Sequence, residues 1–96
     1  MKARNEDTVI NYLSNGKYLY FNIEDSSEYN EPATTKLTIW KTKSNKFNLS
    51  VQKFLDKHFF AEDLYIRDEV LNFNSLDELR VALIDQFGVQ LQSFHG

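Results

Sequence analysis

Between Ser75 and Gly88 the chain carries every local signal of one amphipathic helix. Ser75 is a favoured N-cap residue and Glu78 follows three positions later. That is the spacing of a capping box, in which each side chain satisfies a first-turn backbone N–H. Asp77 and Glu78 place negative charge where the helix dipole favours it. Leu76, Leu79, Ala82, Leu83 and Phe87 recur at helical spacing and form one apolar stripe. Gly88 can adopt the left-handed conformation that ends a helix, with Val89 folding back against the last turn. Such a stripe must be buried against another layer, and the preceding sequence has the alternation of a sheet.

Lys17 to Ile23 predicts a strand, with Leu19, Phe21 and Ile23 alternating with Tyr18, Tyr20 and Asn22. Glu24 to Thr34 is polar and acidic, contains the only proline, Pro32, and predicts a loop. Thr35 to Thr42 and Lys46 to Val51 predict a hairpin whose loop, Lys43-Ser44-Asn45, puts Asn45 in the left-handed position. In that register Ile39 faces Leu49 and Leu37 faces Val51, which leaves Trp40, Thr38, Asn48 and Ser50 on the other face. Phe54 and Leu55 break the alternation and mark a bulge or a strand end. Leu64 and Ile66 alternate around Tyr65, and Leu71 and Phe73 around Asn72. These are two short strands, or one broken near Asp68-Glu69. Val89 and Leu91 read as a short edge strand and Ser93 to Gly96 as a frayed tail.

Thr8 to Leu13 fits two structures. A short helix would place Val9, Ile10 and Leu13 on one face. A strand turning at Asn15-Gly16 would pair Tyr12 with Leu19, Ile10 with Phe21 and Thr8 with Ile23, and this hairpin is the preferred reading. The expectation is a single α+β domain over residues 1–96. Its antiparallel sheet of about five or six short strands packs on one C-terminal helix and is covered on one side only.

Composition narrows the function more by exclusion than by pointing. The chain has 96 residues, enough for one modest core. It has no cysteine, so disulfide scaffolds, thiol catalysis and Cys-ligated zinc are excluded. Met1 to Asp7 has no apolar segment of a secretory leader and no run is long enough to span a bilayer, so a soluble cytoplasmic protein is expected. His58 and His95 have no partner at metal-ligand spacing. The adjacent carboxylates Glu24-Asp25, Glu62-Asp63 and Asp68-Glu69 would point to opposite sides of a strand and cannot face one another across a cleft. No Gly-x-Ser-x-Gly elbow or glycine-rich phosphate loop is present. Neither catalysis nor a cofactor is expected.

Charge is the remaining signal. The net charge is −3, but Lys36 to Lys57 holds six lysines against Asp56, Glu24 to Glu31 holds four acids and no base, and Glu62 to Asp85 holds seven acids against Arg67 and Arg80. Segregation of this kind suits a surface meant for a charged partner. The favoured reading is a small protein-binding inhibitor, comparable to bacterial immunity proteins and phage-encoded inhibitors. Its basic partner would dock on Glu24, Asp25, Glu28, Tyr29 and Glu31 in one patch and on Glu62, Asp63, Asp68 and Glu69 in another. Tyrosine supplies rigid contact area and the acids steer the encounter. The alternative is a nucleic-acid-binding module that uses the lysine-rich hairpin 36–57, with Trp40 or Tyr20 stacking on a base. Each reading competes with a plainer one: acids spread for solubility, and lysines guarding a sheet edge.

Overall fold

A computed structural model describes residues 6–26, 32–55 and 67–95. The chain opens with helix α1 (Glu6–Ser14), continues through strands β1 (Leu19–Ser26), β2 (Pro32–Lys41), β3 (Phe47–Leu55) and β4 (Arg67–Phe73), and ends with helix α2 (Leu76–Phe87) and a 3₁₀ turn, Leu91–Ser93. The strands form one antiparallel sheet in the order β1-β2-β3-β4. Each strand pairs with its neighbour in sequence, so the sheet is a meander.

The β2–β3 hairpin has the expected register, with Ile39 opposite Leu49 and Leu37 opposite Val51. Asn45 takes the left-handed conformation at φ 62°. The Thr42 N–H donates to the Lys46 carbonyl at 2.8 Å, and the Lys46 N–H donates to Thr42 Oγ1 at 3.2 Å. Helix α2 also forms as its signals require. The Ser75 hydroxyl accepts from the Glu78 N–H at 3.2 Å, while the Glu78 carboxylate accepts from the N–H of Asn74, one residue before the expected partner. Gly88 sits at φ 64°, Val89 is buried, and the Val89 N–H donates to the Leu83 carbonyl.

Elsewhere the structure corrects the expectation. Residues 8–13 lie in a helix, so the Tyr12–Leu19, Ile10–Phe21 and Thr8–Ile23 pairs do not form. Val9 and Leu13, four residues apart, are both fully buried. Asn15-Gly16 closes this helix instead of turning a hairpin. The Gly16 N–H donates to the Leu13 carbonyl, the Lys17 N–H donates to Tyr12, and Gly16 takes φ 78°. The segment Glu24 to Thr34 is shorter as a loop than expected: β1 runs through Ser26 and β2 starts at Pro32, a tolerated place for proline because it is the first residue of its strand. Phe54 and Leu55 continue β3 in unbroken register, and Asp68-Glu69 lies inside β4 without a break. The strand count is four among the described residues. Val89 and Leu91 lead into the 3₁₀ turn instead of an edge strand, and the alternation at Leu64 to Ile66 falls outside the described residues.

The largest correction is at the C-terminus. Phe94 is fully buried, in contact with the Phe21 ring at a centroid distance of 5.9 Å. His95 pairs with Tyr20 through two backbone hydrogen bonds of 2.7 and 3.0 Å. The expected frayed tail is therefore a clasp that fills the core.

All of this sets the two faces of the sheet. Odd-numbered strand residues, including Leu19, Leu37, Ile39, Leu49 and Val51, point at the helices and join Val9, Leu13, Leu79, Leu83, Leu91 and Phe94 in one apolar core. Helix α1 packs over β1 and β2, and helix α2 over β3 and β4. Arg80 of α2 links the two helices by ion-pairing with Glu6 of α1 while also pairing with Asp77. The Glu6 hydrogen bond is the main cause of a raised Arg80 pKa. Even-numbered strand residues point the other way, and no described helix packs on them.

Candidate interaction surface

The open face is read row by row from the strand pairing. One row runs Trp40, Asn48, Asn72; the next Tyr20, Thr38, Ser50, Val70; the next Asn22, Lys36, Gln52, Asp68; and the last described row Glu24, Thr34, Phe54, in which Phe54 is buried. Its centre is built of amides and hydroxyls. Tyr18, half exposed just before β1, stacks on Trp40 with ring centroids 5.1 Å apart and planes 23° apart. The Lys36 ammonium lies 5.1 Å from the Tyr20 ring centre, a distance that suits a cation–π contact.

Charge is only partly separated along the strands, since Lys53 and Arg67 face each other near the end that leads into the acidic segments. The β2–β3 turn gathers Lys41, Lys43 and Lys46 at the end of the sheet where α1 hands over to β1 at Lys17. Ser26, Pro32, Leu55 and Arg67 mark the opposite end. The described strands therefore enter both acidic segments, 24–31 and 62–69, from the same end of the sheet.

Of the nine residues expected to bind a partner, Glu28, Tyr29, Glu31, Glu62 and Asp63 lie outside the described residues. Glu24 is exposed on β1 opposite Thr34, and Asp25 occupies the next register position, opposite Ala33. Asp68 is exposed on β4, in the row of Gln52. Glu24 and Asp68 share the open face but stand on the two outer strands, in adjacent rows and roughly 16 Å apart across three strand spacings and a two-residue offset. Glu69 faces the opposite way from Asp68. It ion-pairs with Arg67, whose guanidinium also lies 5.6 Å from the Phe87 ring centre. Both partners are about 40% exposed, and such a pair is worth at most about 1 kcal/mol. Its charge is neutralised locally, which leaves Asp68 as the outward-facing acid of β4.

Two features of this surface escaped the sequence reading. Tyr18 was visible only as one position of an alternating strand, although Tyr18 and Tyr20 two residues apart already imply a shared face. The second is the flank of α2 that carries Glu78, Ala82, Asp85 and Gln86 along a shallow open groove. Their helical spacing was readable, but which flank is left uncovered depends on where α1 sits.

Among the described residues no three His, Cys, Asp or Glu side chains are grouped to hold a metal ion. Nor, among these residues, is any helix long and apolar enough to cross a membrane. His95 serves the β1 edge through its backbone, and His58 lies outside the described residues. No known family model matches the chain, and comparison with curated proteins and with solved structures gives no match.

Proposed function

We propose that the chain is a non-catalytic protein-binding module, an inhibitor of the toxin-immunity or phage-inhibitor kind that neutralises a basic partner through its acidic surface. The observation that supports this reading is the polarity of the sheet. Both acidic segments adjoin one strand end, where Lys53 and Arg67 also stand, and three lysines of the β2–β3 turn stand at the other. A concentrated single-sign field raises the association rate with an oppositely charged protein, and salt screens it. Acids at the rim act mainly on the on-rate, whereas a tyrosine at the centre of a contact costs about 2 kcal/mol or more when truncated.

The test is affinity capture from the native host, followed by charge reversal of Glu24, Glu28 and Glu31 in one variant and of Glu62, Asp63 and Asp68 in another. The expected partner is basic, and each reversal slows its association in a salt-dependent way. Capture of an acidic partner, or unchanged affinity and salt dependence in both variants, removes the reading.

One observation favours a second reading. The stacked Tyr18–Trp40 pair lies at the lysine end of the open face, the arrangement of a single-strand stacking platform. Titration of labelled single-stranded DNA and RNA at low salt, followed by Trp40 fluorescence, decides between them. Binding tighter than about micromolar that weakens steeply with salt, as phosphate contacts require, promotes nucleic acid over protein.

A further inference from the structure

The two outer strands of the sheet differ at one point, a single bridge on β1. On β1 the outward-facing backbone of Tyr20 is already paired, donating to and accepting from His95 at 2.7 and 3.0 Å. On β4 no described segment pairs with the outer edge. The strand is seven residues long, and its only guards are the charged residues Arg67, Asp68 and Glu69 in its first half. It has no proline, no glycine and no lysine, its register against β3 is unbroken from Phe47–Phe73 to Lys53–Arg67, and Val70 at its midpoint is 50% exposed. A strand of this kind presents a row of backbone donors and acceptors to any chain able to extend beside it.

The surroundings of that edge specify the occupant. Arg80 reaches Glu6 on α1, so the opposite flank of α2 faces away from α1, on the β4 side of the molecule. The groove along the exposed side of α2 carries Glu78 and Asp85 beside Ala82, and extends to Asp77, the partner of Arg80. Asp68 lies on the other side of the strand plane, on the open face. The one cation of β4, Arg67, is committed to Glu69. An added strand would thus lie beside Asp68 on the open face, with the acid-bearing helix α2 over the other face of the sheet and an apolar position, Val70, in the middle. A second copy of this chain fits poorly, because two-fold pairing about Val70 sets the acidic α2 flanks of both copies against each other.

We infer that the open edge of β4 is a strand-addition site for an extended, basic peptide segment of the partner. This rests on the acidic-surface reading above and deepens it by naming how the partner is held: backbone pairing along β4, with lysine or arginine side chains alternating toward Asp68 and toward the α2 flank.

The probe is a synthetic peptide about as long as β4, alternating lysine with valine or threonine, added to the isotope-labelled full chain and followed by amide shifts and hydrogen exchange. Shifts and new exchange protection are expected at Arg67 to Phe73, and not on β1 at Asn22 and Glu24. Methylating alternate backbone nitrogens of the peptide keeps its charge but removes its donors, and should weaken binding by about tenfold or more. Val70→Lys, at an exposed position that leaves the fold intact by melting temperature, should weaken the parent peptide to a similar degree. If the methylated peptide binds as well as the parent and both respond to charge reversal, the acidic surface stands and strand addition is wrong. If neither peptide binds at low salt, both readings fail. A concentration-dependent dimer of the free chain that Val70→Lys abolishes would assign the edge to a second copy and overturn the inference.

Discussion

The two helices do the same job with very different instructions. Each contributes two fully buried side chains to one core, Val9 and Leu13 from α1 and Leu79 and Leu83 from α2. In α2 the cap, the acidic first turn, the stripe and the terminal glycine lie within its own residues and their immediate neighbours, and all agree. In α1 the decisive partner lies at the other end of the chain. The 3₁₀ turn at Leu91–Ser93 packs against it, and the next residue, Phe94, is fully buried against Phe21 of β1. Over six residues Val9, Ile10, Tyr12 and Leu13 satisfy a strand period almost as well as a helical one. The β1 edge that a hairpin partner would need is taken by His95. One helix is encoded locally and the other by tertiary context, and substitutions can separate the two.

Phe94→Ala should have the largest effect, about 3–5 kcal/mol for a fully buried aromatic. Its signature is regional: amides of α1 should lose hydrogen-exchange protection before those of α2. Equal loss in both helices would mean that α1 does not depend on the tail. Leu83→Ala should cost about 2–5 kcal/mol and unfold the whole domain in one step, because the core is shared. An unchanged melting temperature would show that the stripe is not what holds α2. Ser75→Ala should cost about 0.5–2 kcal/mol in a denaturant titration, and Glu78→Ala less. The reverse order would mean that the Glu78–Asn74 arm, and not the Ser75 hydroxyl, is the main cap. Arg80→Gln should be the smallest, at most about 1 kcal/mol, since the ion pairs with Glu6 and Asp77 are solvent-accessible. A larger loss would make the link between the helices a determinant of their placement.

What the sequence revealed follows the same division. Helix α2 and the β2–β3 hairpin were legible down to Ser75, Gly88 and Asn45, because each is specified within a dozen or so residues. The burial of Phe94 was not, since a single aromatic among Ser93, His95 and Gly96 has no periodicity to read. The acidic surface was legible as charge but not as geometry. Asp68 and Glu69 are neighbours in sequence, yet the pleat of β4 sends them to opposite faces and pairs Glu69 with Arg67. The uncovered flank of α2 was hidden for a related reason: a helix declares its apolar side, but which polar flank is left free depends on the neighbouring helix.

The pairing of Tyr20 with His95 also has a kinetic side. Every sheet pairing in the meander joins neighbouring strands, so the sheet can zip up through short loop closures. The clasp joins opposite ends of the chain, and its entropy of closure is recovered only after that sheet exists. Contacts of this order are expected to be absent from the folding transition state. Phe94→Ala should therefore leave the refolding limb of a chevron plot nearly unchanged and raise the unfolding limb by almost the full loss of stability. The tail would then act as a latch on the native state, setting how long the domain stays folded while having little influence on how fast it gets there.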